Sequence, residues 1–189
     1  IIKVLNIKSR NKHKKLDYLK EAIRRYKNPK KQITVAICGK YNGLHDAYKS
    51  ILEAFIHAGI KNSAKIDIKW INTEQLEHNV ETIENKFRNV DGILIPGGFG
   101  NRGIEGKIMS SKYARENKIP FLGICLGLQC AVIDYARHVS KLDNANSTEF
   151  RKKTPYPVID LMFKQKKINN KGATMRLGSY ECLLKKKTK

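Results

Sequence analysis

Short apolar runs alternate along the chain with longer stretches whose apolar residues recur every three or four positions. Leu16, Leu19, Ile23 and Tyr26 follow helical spacing, and Asn28-Pro29 stops that pattern. Ile33 to Cys38 is a β-branched run ending in Gly39, the expected first strand of a buried sheet. Asp46 is placed to cap a helix whose Ala47, Ile51, Leu52, Phe55 and Ala58 share one face, with Gly59 closing it. Ile66 to Ile71 alternates and predicts a second strand, and Val80, Ile83 and Phe87 mark a short helix. Asp91-Gly92 leads into Ile93-Leu94-Ile95, a third strand; Lys107 to Asn117 follows as a helix that can pack Ile108, Ser111, Tyr113 and Ala114. Ile119 to Ile124 is the fourth strand, and the periodic stretch Leu126 to Tyr135 comes at once behind it. Such alternation predicts a three-layer α/β fold, a mostly parallel sheet with helices on both faces. Residues 1–31 read as a basic linker with a short helix, and residues 32–189 as the domain.

Two connections stand apart from ordinary turns. Gly123-Ile124-Cys125-Leu126-Gly127-Leu128-Gln129 delivers a cysteine between two glycines at a strand-to-helix elbow. A thiol there is presented by the sharp turn and backed by a helix N-terminus that favours the thiolate. Composition alone would place Cys125 in the core, since free cysteine is among the most buried residue types. The flanking glycines point instead to a backbone that a core strand does not need. The third strand ends in Pro96-Gly97-Gly98-Phe99-Gly100-Asn101-Arg102-Gly103, where four glycines predict unusual backbone angles and a close approach to something. Neither phosphate-loop pattern, G-x-x-x-x-G-K-[ST] or G-x-G-x-x-G, is present in it. Both connections follow strand C-termini, where open α/β sheets bind ligands, so one crevice can hold both. A carbonyl attacked by Cys125 would then find backbone N–H donors from Leu126 and from the glycine loop, each worth about 3 kcal/mol of barrier.

Charge and cysteine content narrow the picture. The formal net charge is +21, with 13 Lys and Arg against 2 acidic residues in 1–40 and 12 against 2 in 151–189. Between them, residues 41–150 hold 13 of each sign, so the basic character belongs to the flanks. With little aromatic residue interleaved, those runs read as solvated segments rather than a nucleic-acid site. Cys38, Cys125, Cys130 and Cys182 show no paired metal or redox spacing, and no metal site is expected. No leader pattern or long apolar span is read, which predicts a cytoplasmic protein with reduced thiols and no membrane partner.

The two connections resemble the class I glutamine amidotransferase domain, through Pro96-Gly97-Gly98-Phe99-Gly100 with Arg102-Gly103 and Glu105-Gly106, and through Gly123 to Gln129. Within that group the chain is similar to the CTP synthase family. Gly39-Lys40-Tyr41, Asp46-Ala47-Tyr48, Asn144-Ala145-Asn146-Ser147-Thr148-Glu149-Phe150 and Thr174-Met175-Arg176-Leu177-Gly178 carry that closer match, from about Tyr18 to about Leu184. The resemblance implies the flavodoxin-like fold of class I amidotransferases and a glutaminase that works through a glutamyl thioester. Its ammonia would pass to a separate synthetase domain that aminates UTP to CTP with ATP and magnesium. It further implies GTP as an effector, with Arg102 near its site, and homotetramers as the assembled form. Carried over by position, Cys125 is the nucleophile and the backbone of Gly98 and Leu126 the oxyanion hole. Gly98, Leu126, Gly127, Leu128, Gln129 and Glu149 would surround the substrate glutamine, with Glu149 pairing its α-ammonium group. Taken singly, Glu149 reads as a surface carboxylate or a cap following Ser147 and Thr148.

The chain departs from the family in two respects. A class I amidotransferase completes its triad with a downstream His-Pro-Glu segment, and none of His13, His45, His57, His78 or His138 has Glu two positions on. The family arginine that helps bind glutamine is missing as well. The expectation is therefore a C-terminally incomplete glutaminase domain with little or no sustained activity by itself, no cofactor of its own, and an open sheet edge with exposed apolar surface. The alternative is a non-catalytic, basic-flanked pseudoenzyme that binds nucleic acid or an intact synthase.

Overall fold

A computed structural model describes residues 14–40, 45–78 and 83–160. Val80, the Thr174-to-Gly178 motif, Cys182 and the lysine runs beginning at Lys164 and Lys185 lie outside the described residues.

Helix α1 (Lys14–Lys27) is followed directly by strand β1 (Lys31–Gly39). A 3-10 turn, His45–Tyr48, opens helix α2 (Lys49–Asn62), and β2 (Ala64–Asn72), α3 (Thr73–His78) and α4 (Ile83–Lys86) come next. Then β3 (Gly92–Ile95), α5 (Ile104–Glu116), β4 (Phe121–Gly123) and α6 (Leu126–His138) complete the alternation, before two short paired strands, β5 (Asn146–Ser147) and β6 (Pro157–Ile159). The first four strands form one sheet in the order β2-β1-β3-β4, all pairs parallel. The predicted α/β architecture is the observed one.

The central apolar runs, in β1 and β3, are buried on both faces, as the interior of a parallel sheet requires. On one face Ala36, Cys38, Ile71, Ile93 and Ile95 pack with Leu76 of α3, Phe87 and Ala114 of α5. On the other, Val35, Ile37 and Leu94 meet Ile51, Leu52 and Phe55 of α2. Ile104 and Ile108 of α5 join Leu126, Cys130 and Ile133 of α6 in a further cluster, which Phe150, Val158 and Ile159 cover. Asp134 of α6 is buried and ties these two helices, accepting hydrogen bonds from Arg115 Nε and an η nitrogen, both at 3.1 Å, and from Ser111 Oγ at 3.3 Å.

Three local expectations are corrected by the structure. Gly59 does not close α2: it is buried within the helix, where a Cβ would meet Ala64 O at 2.5 Å, and the left-handed residue at the end is Ser63, φ 50°. Helix α3 was not expected; Asn72 Oδ1 accepts from Glu74 N at 2.9 Å and so caps it. Helix α5 begins at Ile104, three residues before the predicted start.

Among the described residues β4 pairs only with β3, and apolar side chains lie along that side. Leu122 is 56% exposed, and Leu128, Val132 and Tyr135 of α6, with Val139 just past its end, are exposed as well. The helical spacing of α1 is also realised, yet Leu16, Leu19, Ile23 and Tyr26 are exposed rather than buried. α1 meets α2 through other groups, with an Arg25 η nitrogen donating to Lys61 O at 3.3 Å.

Candidate active site

β3 and β4 lie side by side with Ile95 opposite Gly123, so the glycine loop and the elbow leave the sheet at one level. Ile124 N donates to Ile95 O at 2.9 Å, extending that pairing one residue past β4. Gly127 N then donates to Ile124 O at 2.9 Å and Gln129 N to Cys125 O at 3.2 Å, which starts α6 without a straight segment between strand and helix. The two glycines of the elbow permit close approach. A Cβ on Gly127 would lie 2.2 Å from Ile95 O, and one on Gly123 would lie 2.5 Å from the Gly127 carbonyl carbon. The unusual backbone angle falls on the cysteine itself: Cys125 has φ 52° and ψ −107°. A non-glycine residue held there stores strain of about 1–3 kcal/mol, and such strain clusters at functional sites. Cys125 is exposed, whereas Cys38 and Cys130 are buried. Burial pushes those two thiols up to about 12, so neither is a thiolate at neutral pH.

The glycine loop divides into two parts. Gly100 and Gly103, φ 82° and 71°, occupy the left-handed region that glycine favours, as expected from the sequence. Gly97 and Gly98 face the elbow instead: a Cβ on Gly97 would lie 3.5 Å from Cys125 Cβ, and one on Gly98 3.5 Å from Leu126 Cδ2. Lys40 Nζ donates to Phe99 O at 2.7 Å and pins the middle of the loop, an anchor that no spacing in the sequence announces. Arg102 is exposed and paired with Glu74 of α3 at 2.9 Å.

The structure therefore brings Cys125, Leu126, Gly97 and Gly98 together. Gly127 is buried beneath the elbow, Gln129 is half-buried in the first turn of α6, and Leu128 faces solvent at 59% exposure. Glu149 follows β5 and is half-buried; its N–H donates to Ser147 Oγ at 3.2 Å, so Ser147 rather than Glu149 supplies the local cap. Neighbouring Phe150 packs into the cluster that contains Leu126, which carries the Glu149 segment to the α5–α6 side of the elbow. The backbone there is fixed by Arg137 Nε, which donates to Ala145 O at 2.7 Å, while Arg137 also pairs with Glu105 at 2.7 Å.

His138 stands at the far end of α6, about 20 Å along the helix from Cys125, and its Nδ1 lies 2.9 Å from Asp134 Oδ1. His57 on α2 and His78 at the end of α3 are exposed. Among the described residues no group of three or more His, Cys, Asp or Glu is arranged to hold a metal ion, and no helix is long and apolar enough to cross a membrane.

An exposed, strained cysteine behind a parallel strand, faced by glycines from the neighbouring strand's loop, can acylate through sulfur and offer backbone donors to an oxyanion. Comparison with known proteins bears on which acyl group. Residues 44–189 match the family described as Glutamine amidotransferase class-I. The chain belongs to this family. It is similar to a CTP synthase of Caldanaerobacter subterraneus subsp. tengcongensis, 55% identical over 90% of this chain and 31% of the relative. It is also 53% identical to a CTP synthase of Methanocaldococcus jannaschii over 97% of this chain and 34% of the relative. Among solved structures it resembles the Trypanosoma brucei CTPS glutaminase domain with bound acivicin, with a TM-score of 0.66 and 38% identity, over 70% of this chain and 51% of that one. The chain thus spans about a third of the length of the curated relatives it matches.

Proposed function

We propose that this amidotransferase is the glutamine-hydrolysing part of a CTP synthase, with Cys125 as nucleophile. Cys125 Sγ attacks the side-chain amide carbon of glutamine, a C–S bond forms, and the C–N bond breaks to leave ammonia and a glutamyl thioester that water then hydrolyses. The backbone of Gly98 and Leu126 stabilises the tetrahedral oxyanion, and Gln129 and Glu149 hold the polar end of the substrate, Glu149 through its α-ammonium group. The ammonia serves a separate synthetase domain, where ATP and magnesium drive the amination of UTP, with GTP as effector and homotetramers as the working assembly. The observation that carries this reading is the contact between the Gly97-Gly98 end of the loop and the Cys125-Leu126 elbow, on adjacent strand ends.

The 189 residues contain no His-Pro-Glu segment, and His138 is tied to Asp134 far from the thiol. Without a base to take and return protons, these residues acylate once and do not turn over. The γ-(4-nitrophenyl) ester of glutamate separates the two claims, because nitrophenolate leaves without needing a proton. The expected result is a burst of one equivalent of nitrophenolate, an acyl group on Cys125 by mass spectrometry, competition by glutamine, and no burst from Cys125→Ala. A burst that survives Cys125→Ala, or none at all, refutes the nucleophile. Sustained glutamine hydrolysis by these residues alone, lost in Cys125→Ala, refutes the single-turnover claim.

A further inference from the structure

Helix α5 begins directly after the glycine loop, and its N-cap, Gly103, offers no side chain to satisfy the first-turn N–H groups. Glu77, on α3, supplies the missing acceptor: Gly106 N donates to Glu77 Oε1 at 3.2 Å. The two helices approach so closely that side chains are excluded between them. A Cβ on Gly106 would lie 2.0 Å from Thr73 O, and one on Gly103 would lie 2.4 Å from Thr73 Oγ1. Outside this contact, Arg102 bridges back to Glu74 of the same helix. α3 is itself an extension of β2, begun by the Asn72 cap on Glu74 N and Gln75 N at 2.9 and 3.3 Å.

From this we infer that Glu77 is a positioning residue for the oxyanion hole: by capping α5 from α3, it fixes the trailing end of the glycine loop and so aims the backbone at Gly98 toward the carbonyl oxygen on Cys125. This rests on the glutaminase reading above and adds to it a group on α3, behind α5 on the same face of the sheet, that touches neither substrate nor sulfur. The loop has only eight residues, Pro96 to Gly103, between the end of β3 and the start of α5. Its leading end is set by β3, its middle by Lys40, and its trailing end by Glu77. Releasing the trailing anchor lets the loop pivot about the Lys40–Phe99 bond, which shifts Gly98 on the other side of that bond, and donor misplacement of about 1 Å is costly in acyl transfer.

The test compares the unmodified chain with Glu77→Ala and Glu77→Gln in the burst reaction with the glutamate nitrophenyl ester. The readouts are the maximal acylation rate, the ester concentration giving half of it, and alkylation of Cys125 by iodoacetamide, which forms no oxyanion. Glu77→Ala should lower the maximal rate about tenfold, leave the half-saturating concentration within about twofold, and leave the iodoacetamide rate unchanged. Glu77→Gln keeps an amide oxygen for Gly106 N and should restore most of the rate. An unchanged maximal rate in Glu77→Ala, a parallel fall in iodoacetamide reactivity, or no rescue by Glu77→Gln overturns the inference. Should Glu77→Ala fail to fold, Glu77→Asp, one methylene short of Gly106 N, is read in the same way. Failure of the unmodified chain to give a glutamine-competed burst overturns the glutaminase reading and this inference with it; a normal burst with an indifferent Glu77→Ala overturns the inference alone.

Discussion

Replacing Gly127 by Ala should unseat the elbow. The added Cβ would lie 2.2 Å from Ile95 O and 2.9 Å from both Ile95 C and Ile95 Cβ. Ile95 is the buried last residue of a strand paired on both sides, so its backbone cannot give way cheaply. The start of α6 must retreat by about 1 Å to reach ordinary contact, which breaks the 2.9 Å bond from Ile124 N to Ile95 O and loosens Leu126 and Cys130 in their cluster. Overpacking costs about 1–3 kcal/mol and a lost buried hydrogen bond about 1 kcal/mol, so we expect a loss of about 3 kcal/mol. That is a large share of the 5–15 kcal/mol typical of a domain. Gly98→Ala is the control, because its Cβ would rest 3.5 Å from Leu126 Cδ2, an ordinary contact. It should change stability by less than about 0.5 kcal/mol while impairing acylation. Urea unfolding followed by Trp70 fluorescence and far-ultraviolet circular dichroism measures both variants. A loss below about 1 kcal/mol for Gly127→Ala, or equal losses for the two variants, would refute the close-approach explanation.

Three further outcomes are expected. Cys125→Gly should be more stable than Cys125→Ala by about 1 kcal/mol, because glycine relieves the strain at φ 52° against a smaller entropic cost; a less stable glycine variant would show that no strain is stored there. Stability should fall as pH rises above 9, since the unfolded thiols of Cys38 and Cys130 ionise near 9.0 while burial holds the folded ones near 12, a loss of about 1.4 kcal/mol per thiol by pH 10. Burial lowers the Lys107 amine from its ordinary 10.5, so stability from this group instead rises with pH up to that value, and Cys38→Ala/Cys130→Ala should turn the falling melting curve upward; parallel slopes in both proteins would contradict this. Asp134→Ala should destabilise by about 2–3 kcal/mol by leaving Arg115 and Ser111 without their shared acceptor, and a double variant with Arg115→Ala should recover part of that loss if the pair is coupled.

The elements built on unbroken apolar runs were legible in the sequence, because β1, β3 and the run through β4 have few other ways to bury Val35, Ile37, Ile93 and Ile95. Helix α3 was not, since Leu76 is its one buried large apolar side chain and its start depends on a cap from Asn72, a residue that belongs equally to a strand end. β5 and β6 escaped for a related reason: two- and three-residue strands bury little, and their pairing is set by non-local bonds such as Asn146 N to Tyr156 O at 3.1 Å. The elbow is recognisable from its glycines, which imply a backbone that a core strand does not need; the structure adds that Gly123 and Gly127 permit contact while Cys125 carries the strain. Lys40 and Glu77 reach the loop through folds of the chain 59 and 29 residues long, distances over which spacing carries no signal.

The register that sets Ile95 opposite Gly123 also determines how the reactive groups move. Cys125 and the facing Gly97 and Gly98 follow the ends of two neighbouring strands by two or three residues, so sheet twisting or breathing carries them together. Fluctuations of α1, of α2 or of the Asn144–Phe150 segment change who can enter the crevice, not the separation between Cys125 and the Gly97-Gly98 backbone proposed to face its substrate. Reactivity toward an acyl group should thus persist under conditions that already loosen α1, α2 and the Asn144–Phe150 segment, so long as β3, β4 and the anchors of the glycine loop hold.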